Sequence, residues 1–165
     1  MGGLRIVSSG SLEHHSASCP GQMSVECRTF QESDYAAAFR LWQATEGIGL
    51  SEADSPEGIR LFLSRNPGLS LVAVESGELV GTILCGHDGR RGLIHHLAVR
   101  KSHRRTGLGS LLVRQGIARL RVQGIGKCHV FVHRANADAR AFWLRIGGEE
   151  RTSLVVYSLP TDESG

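Results

Sequence analysis

The sequence predicts one α/β domain, with a mixed, mostly antiparallel sheet, one central parallel pair and helices on both faces. Three observations predict it. Apolar residues change period along the chain in the order β-α-α-β-β-β-α-β-α-β, alternation marking strands and i, i+3, i+4 spacing marking helices. The strand–helix–strand unit from Leu93 to His133 links its strands by a helical crossover, the connection that a parallel pair requires. Glycine-bearing turns join the strands before it, as antiparallel hairpins need. With 165 residues, 41% of them hydrophobic, the chain can fill one core.

Residues 25–30 alternate and read as a strand. Ser33 is placed to cap a helix whose apolar residues Tyr35, Ala38, Phe39 and Trp42 fall on one face. Residues 45–55 form a loop with two glycines and the acids Glu46, Glu52 and Asp54. Ser55-Pro56-Glu57 opens a second helix, with Pro at its first position and Ile59, Phe62 and Leu63 on its stripe. Strands follow at 70–75 and 79–85 around the Ser76-Gly77 turn, then at 93–99 after Asp88-Gly89. Leu108, Leu111, Leu112, Ala118 and Val122 suit a helix ending near Gly124. A strand at 127–133, a helix at 136–146 stopped by Gly147-Gly148, and a last strand at 153–159 complete the order. Residues 1–22 read as a disordered leader with Met23 as the true start, 23–160 as the domain and 161–165 as a tail.

Charge is segregated beneath a net of +3. From Gly89 to Ala137 there are eleven Lys and Arg and no Asp or Glu, while the remainder carries 8 basic and 16 acidic residues. Such a block is either a solvated face or an attractor for a polyanion. The four cysteines, Cys19, Cys27, Cys85 and Cys128, include no CxxC pair, which argues against a disulfide framework or a zinc site and for a reducing compartment. No run of 18 apolar residues exists to span a bilayer, and the first 22 residues lack the apolar region of a signal peptide. The expected location is cytoplasmic, with no membrane partner.

Within the basic block, Arg104-Arg105-Thr106-Gly107-Leu108-Gly109-Ser110 lies between a strand and a helix. A helix start there leaves several N–H groups aimed together at the positive end of the dipole. Gly107 and Gly109 remove side chains that would keep a diphosphate away, and Arg104 and Arg105 supply charge and forked donors. These features describe a pyrophosphate seat, or else a compact strand–helix connection. Leu112 stands where a dinucleotide fingerprint needs its third glycine, and Gly109-Ser110-Leu111 is not the Gly-Lys-Ser/Thr of a P-loop.

The stretch HLAVRKSHRRTGLGSLLV, residues 96–113, resembles motif A of the GNAT superfamily of N-acetyltransferases, Arg/Gln-x-x-Gly-x-Gly/Ala. Asn136-x-x-Ala139-x-x-Phe142-Trp143-x-x-x-Gly147 resembles a second motif of that family, and the element order agrees from Ser24 to about Leu159. The chain is most similar to small bacterial acetyltransferases related to ribosomal-protein-alanine acetyltransferases. The resemblance implies acetyl-CoA as co-substrate, its pyrophosphate on the amides from Arg105 to Ser110. It implies a pantetheine arm paired with the backbone of Leu97, Ala98 and Val99, Asn136 near the arm or thioester, and Trp143 packed against the cofactor.

Transfer to an amine needs a proton acceptor, an oxyanion site and a leaving thiolate. Backbone N–H groups near residues 97–99 suit the oxyanion, and histidine suits the base. His95 and His96 are adjacent on a predicted strand and so face opposite sides, His95 sharing its face with Leu97 and Val99. His95 is the nominated base, supported by a histidine on the matching strand of serotonin N-acetyltransferases. The competing view is a histidine simply packed in the sheet. His96 reads as structural, and His129 and His133 as a minor relay. Phe131 stands where some relatives place a Glu, and Trp143 where many place a Tyr acid, so the general acid is open, Tyr157 or water among the choices. Cys85 and Cys128 read as buried thiols, and no metal ligand spacing is present. Glu46, Glu52 and Asp54 would attract a cationic acceptor, or else are merely solvated.

The leading expectation is therefore an N-acetyltransferase working by direct attack in a ternary complex on a small-molecule or peptide amine, as monomer or homodimer. A CoA-binding sensor without catalysis is the alternative. A nucleic-acid-binding module ranks last, because Phe131 is the one aromatic residue interleaved in the basic block.

Overall fold

The computed structural model describes residues 24–161; the expected leader, 1–22, the expected start at Met23 and residues 162–165 of the expected tail lie outside them. Strand β1 (Glu26–Thr29) leads into a 3-10 turn, Glu32–Asp34, and helix α1 (Tyr35–Gln43). Ser33 lies inside that turn and is not the helix cap. Asp34 organises the entry instead, taking the Gln31 N–H at 2.8 Å and both ends of the Arg28 guanidinium at 2.7 and 2.8 Å. Helix α1 buries Ala38 and Trp42 completely, with Tyr35 and Phe39 half-buried beside them. A second 3-10 turn, Glu52–Asp54, precedes α2 (Pro56–Arg65). Ser55 Oγ accepts the Gly58 N–H at 3.2 Å and Pro56 occupies the first helical position, as the sequence predicts.

The chain then builds β2 (Leu71–Glu75), β3 (Glu78–His87) and β4 (Gly92–Val99), followed by α3 (Leu108–Val122), β5 (Cys128–Val130) and α4 (Ala137–Arg145). Ser76 and Gly77, both at positive φ, make the two-residue turn between β2 and β3. The strands lie side by side in chain order, antiparallel except that β4 and β5 are parallel. Helices α1 and α2 cover one face, Ala38, Trp42 and Ile59 packing with Phe30, Val72, Leu79, Leu84 and Ala98. Helix α3 covers the other through Leu108, Leu112, Val113 and Leu120, joined by Phe142, Trp143 and Ile146 of and just after α4. Arg119 fastens α3 across the sheet, donating to Thr29 Oγ1 at 2.8 Å and to the Gly68 carbonyl at 2.5 Å.

Two expectations fail at the C-terminal end. Strand β5 is three residues long rather than seven, and residues 153–159 form no strand. After a turn at 152–153 they form no regular element, with Leu154, Val155, Val156, Tyr157 and Leu159 all exposed, Tyr157 at 86%. The parallel pair consequently stands at an edge of the five-stranded sheet and not in its middle. Alternation records a taste for a pleated, half-buried surface, and residues 153–159 meet no such surface here. Arg140 holds the preceding Glu150 at 2.9 Å against α4.

Trp42 is the largest fully buried side chain, and its indole N–H donates to Thr82 Oγ1 at 2.9 Å. Trp42→Phe keeps most of the apolar volume and removes that donor. It should lower the unfolding free energy by about 1–2 kcal/mol, read from urea denaturation; a change within the error of the parent curve would mean that the bond adds nothing net.

Candidate active site

The β4–β5 ladder ends at Ile94 opposite Val130. Beyond that point β4 continues to Val99 while the chain after Val130 leaves the sheet toward α4, so the sheet forks. Leu97, Ala98 and Val99 line the β4 side of the fork, without a partner residue on β5. The loop between α1 and α2 leans over the fork. Its Gly47, at φ +82°, lies so near Asn136 that a Cβ there would collide with the Asn136 amide nitrogen. A Cβ at Gly49 would stand 3.6 Å from His133 Nε2, an ordinary contact. Asn136 caps α4, its Oδ1 accepting the Ala139 N–H at 3.0 Å, while its amide nitrogen faces the loop.

Below the fork, a 3-10 turn (Lys101–His103) and the glycine motif lead into α3. Gly107 is the residue just before the helix, at φ +88°, a conformation that side chains disfavour. The first helical bond runs from the Leu111 N–H to the Gly107 carbonyl at 2.9 Å, which leaves the N–H groups of Leu108, Gly109 and Ser110 without a helical acceptor. Arg104 is drawn back to the end of β4 by its Nε–H, which donates to the Val99 carbonyl at 3.1 Å. Arg105, Thr106 and Gly107 are exposed. Phe142 packs against Gly109 and stacks edge-on with Trp143 at 5.2 Å, so both aromatic residues of α4 serve the wall beside this loop. Between α3 and α4 a cavity of about 350 Å³ is lined by Ser110, Val113, Arg114, Ile117, Arg145 and Ile146, which sets two cations beside the helix start.

The fork's other face holds the histidines. The register passes from Thr82 opposite Ala98 to Leu84 opposite His95, so His96 and Leu97 together face Ile83 alone. This bulge, with His96 at φ +43°, overturns the expected alternation. His95 and His96 both turn toward α1 and α2, whereas Leu97 and Val99 pack on the α3 side. His95 meets the Phe62 ring edge-on at 5.9 Å. Burial, seconded by the neighbouring His96, holds its pKa below the usual histidine value despite the opposing pull of Asp54, so the ring is neutral near pH 7.

His96 does more than fill space. Its Nε2 lies 2.5 Å from Asp54 Oδ1, and its ring rests against Trp42 at 4.8 Å. Thr82 Oγ1, which accepts from Trp42, donates to the His96 carbonyl at 3.1 Å. Asp54 is buried, and its other oxygen accepts the Ser51 N–H at 2.8 Å. The Asp54 carbonyl accepts from Tyr35 Oη at 2.8 Å. Glu46 and Glu52 are exposed, as solvated acids would be; Asp54 is not, and its charge is spent on His96 and Ser51 instead of standing open to a cation. The sequence reading singled out His95 as a base, His96 as structural and Asp54 as an attractor of a cation, and did not foresee the contact between His96 and Asp54. They are separated by 42 positions, and nothing in residues 93–99 announces a bulge.

The cysteines are unsuited to nucleophilic work. Burial pushes the Cys85 thiol up to about 12 and raises Cys27 and Cys128 as well. Cys27, Cys85 and Cys128 are all unpaired. His87 Nδ1 accepts the Gly89 N–H at 3.0 Å and belongs to a turn; His129 is half-buried and His133 exposed. Among the described residues no group of three His, Cys, Asp or Glu side chains gathers as a metal site, and no helix is long and apolar enough to cross a membrane. Tyr157, an expected candidate acid, projects from the exposed C-terminal segment.

Comparisons with known proteins identify the family to which this forked sheet and glycine loop belong. The profile of the Acetyltransferase (GNAT) family matches residues 32–148, and the chain belongs to that family. It is 33% identical over 113 residues to a protein named as an acetyltransferase from Pectobacterium atrosepticum, covering 68% of this chain and 79% of that one. Among solved structures, an aminoglycoside N-acetyltransferase in complex with CoA superposes with a TM-score of 0.70 at 14% identity, over 86% of this chain and 98% of that chain. The ribosomal-protein-S18-alanine N-acetyltransferase of Escherichia coli gives 0.62 at 20% identity, over 78% and 80%.

Gly107→Val tests the glycine loop. No atom lies within 4 Å of a Cβ at this position, so the folding cost should be limited to the left-handed strain, roughly 1–2 kcal/mol. Affinity for CoA should nevertheless fall at least about tenfold, 1.4 kcal/mol in binding. Denaturation and calorimetric titration of one sample measure both; unchanged affinity would show that the loop is only a connection.

Proposed function

We propose that this GNAT-family protein is an acetyl-CoA-dependent N-acetyltransferase that moves the acetyl group directly to a primary amine in a ternary complex. The observation that carries the reading is the fork itself. The stretch Leu97–Val99 of β4, without a partner on its β5 side, leads through a 3-10 turn and the glycine loop to a helix start whose free N–H groups and flanking Arg104 and Arg105 suit a diphosphate. The residues present fit CoA, a chain with a hydrogen-bonding amide arm at one end and phosphates at the other. Leu97, Ala98 and Val99 offer backbone to the arm as an added strand would. Arg105, Thr106, Gly107, Leu108, Gly109 and Ser110 receive the pyrophosphate, and Arg114 and Arg145 beside the cavity suit a further phosphate. CoA was bound in the aminoglycoside acetyltransferase that shares this fold, which supports the same ligand here.

The donor supplies an activated thioester. This chain's part is to hold the carbonyl near backbone N–H groups of residues 97–99, exclude water with the α1–α2 loop and Asn136, and accept a proton from the acceptor. The bulge turns two histidines toward the acceptor side. His95, the base nominated from the sequence, is neutral near pH 7 and so can accept a proton. Trp143 packs beside Phe142 and has no acidic proton to give near neutrality, so the thiolate departs without it. Glu46 and Glu52, exposed on or beyond the α1–α2 loop, favour a cationic amine approaching from that side. The free, protonated thiols and the absence of a spanning helix among the described residues are consistent with a cytoplasmic enzyme.

Calorimetry with acetyl-CoA, CoA and ATP, followed by thiol-release assays over a panel of small amines and peptide N-termini, tests the proposal. Acetyl-CoA should bind at least about tenfold more tightly than ATP, and one amine class should release CoA above the rate of hydrolysis. Tight binding with no turnover on any amine would instead support a CoA sensor, and no binding would remove the proposal.

A further inference from the structure

Resting on the reading above, we infer that Asp54 and His96 form the proton-accepting pair of the acceptor side, with Asp54 as positioning residue and His96 Nδ1 as the atom that takes the proton.

Three contacts fix the ring. Asp54 Oδ1 holds Nε2, Trp42 lies beside one face, and the His96 carbonyl is anchored by Thr82 Oγ1. A carboxylate at Nε2 selects the tautomer with its proton there, which leaves the Nδ1 lone pair free. No described residue donates to Nδ1, and the side chain keeps 14% of its surface open. Asp54 cannot swing away, because the Ser51 N–H holds its second oxygen and Tyr35 Oη holds its carbonyl. His96 also stands at the right place: two residues past Ile94, where the β4–β5 ladder ends, and next to Leu97, where the donor's arm is placed. The loop carrying Asp54 is the one whose Gly47 and Gly49 reach Asn136 and His133 across the fork. A left-handed backbone at a non-glycine residue is a local cost, and here it is what aims the ring.

The step balances without a further reagent. Nδ1 takes one proton from the acceptor's ammonium group, and the freed amine forms the C–N bond. The C–S bond then breaks with its electron pair on sulfur, the thiolate takes the second N–H proton, and the imidazolium returns its proton to solvent. Asp54 stabilises that imidazolium through Nε2–H. His95, packed against Phe62, is the competing acceptor.

The experiment compares His96→Gln, Asp54→Asn and His95→Gln with the parent, on its best amine, across pH. The titrating groups facing the ring are Asp54 from the turn before α2, His95 from β4 and Tyr35 from α1. His96→Gln should lower kcat roughly 10²- to 10⁴-fold and remove the acidic limb of the profile while acetyl-CoA affinity stays within about twofold. Asp54→Asn removes the charge that favours the imidazolium, so its acidic limb should move to lower pH. Its oxygen on Ser51 leaves an N–H facing Nε2, which pushes the ring proton to Nδ1, so kcat should also fall at least about tenfold. Asp54 also pulls on His95, so a limb moved in Asp54→Asn counts for the pair only where His95→Gln keeps the parent's rate and limb, and these two variants together carry the test if His96→Gln does not fold. An active parent with His96→Gln near the parent rate, an unmoved Asp54→Asn limb, or the loss appearing in His95→Gln alone would overturn the pair and leave the acetyltransferase reading standing. A parent that turns over no amine would overturn both.

Discussion

The hydrogen bond from the Trp42 indole to Thr82, passed on by that hydroxyl to the carbonyl of His96, holds a bulge in β4 on which the site depends. Trp42 and Thr82 are both fully buried, so the link sits where a protein interior makes an unpaired polar group costly. It ties α1 to β3 and β3 to β4 at the residue where the register slips. The slip turns two consecutive histidines to one side and leaves Leu97 and Val99 to pack on the other. A regular strand would send one histidine into the α3 core and would need no such support.

The same bulge divides the chemistry between the sheet's faces. On the α3 side lie the glycine loop, exposed arginines and a cavity with two more, all suited to an anion. On the α1–α2 side lie the histidines, a buried carboxylate and the exposed acids of the loop. For the proposed reaction, this charge arrangement would bring an anionic donor and a cationic acceptor to the fork from opposite directions. The thiols stand apart from both, because burial keeps them protonated.

What could be read from the sequence is what local chemistry determines. Ser55 and Pro56 start α2 because capping needs only neighbours, and Ser76-Gly77 turns because two residues suffice to set it. The glycine loop was legible because N–H groups at a helix start and small residues beside them are a local device. The Asp54–His96 contact was not, since it joins a loop to a strand 42 positions on through a register shift that leaves no mark in residues 93–99. Residues 153–159 failed in the opposite direction: the pattern of a strand is present, but a strand exists only where another edge receives it.

Gly47 and Asn136 illustrate a constraint on how such an enzyme can diverge. One sits on the loop between α1 and α2 and the other caps the helix across the fork, yet the amide of the second fills the space a side chain on the first would take. Neither position is free to vary alone. A larger residue at 47 demands a smaller one at 136, and losing the amide there uncaps α4 unless serine or aspartate takes over the cap. Substitutions at this pair are therefore epistatic, and the order in which the two arise decides how stable the intermediate sequence is.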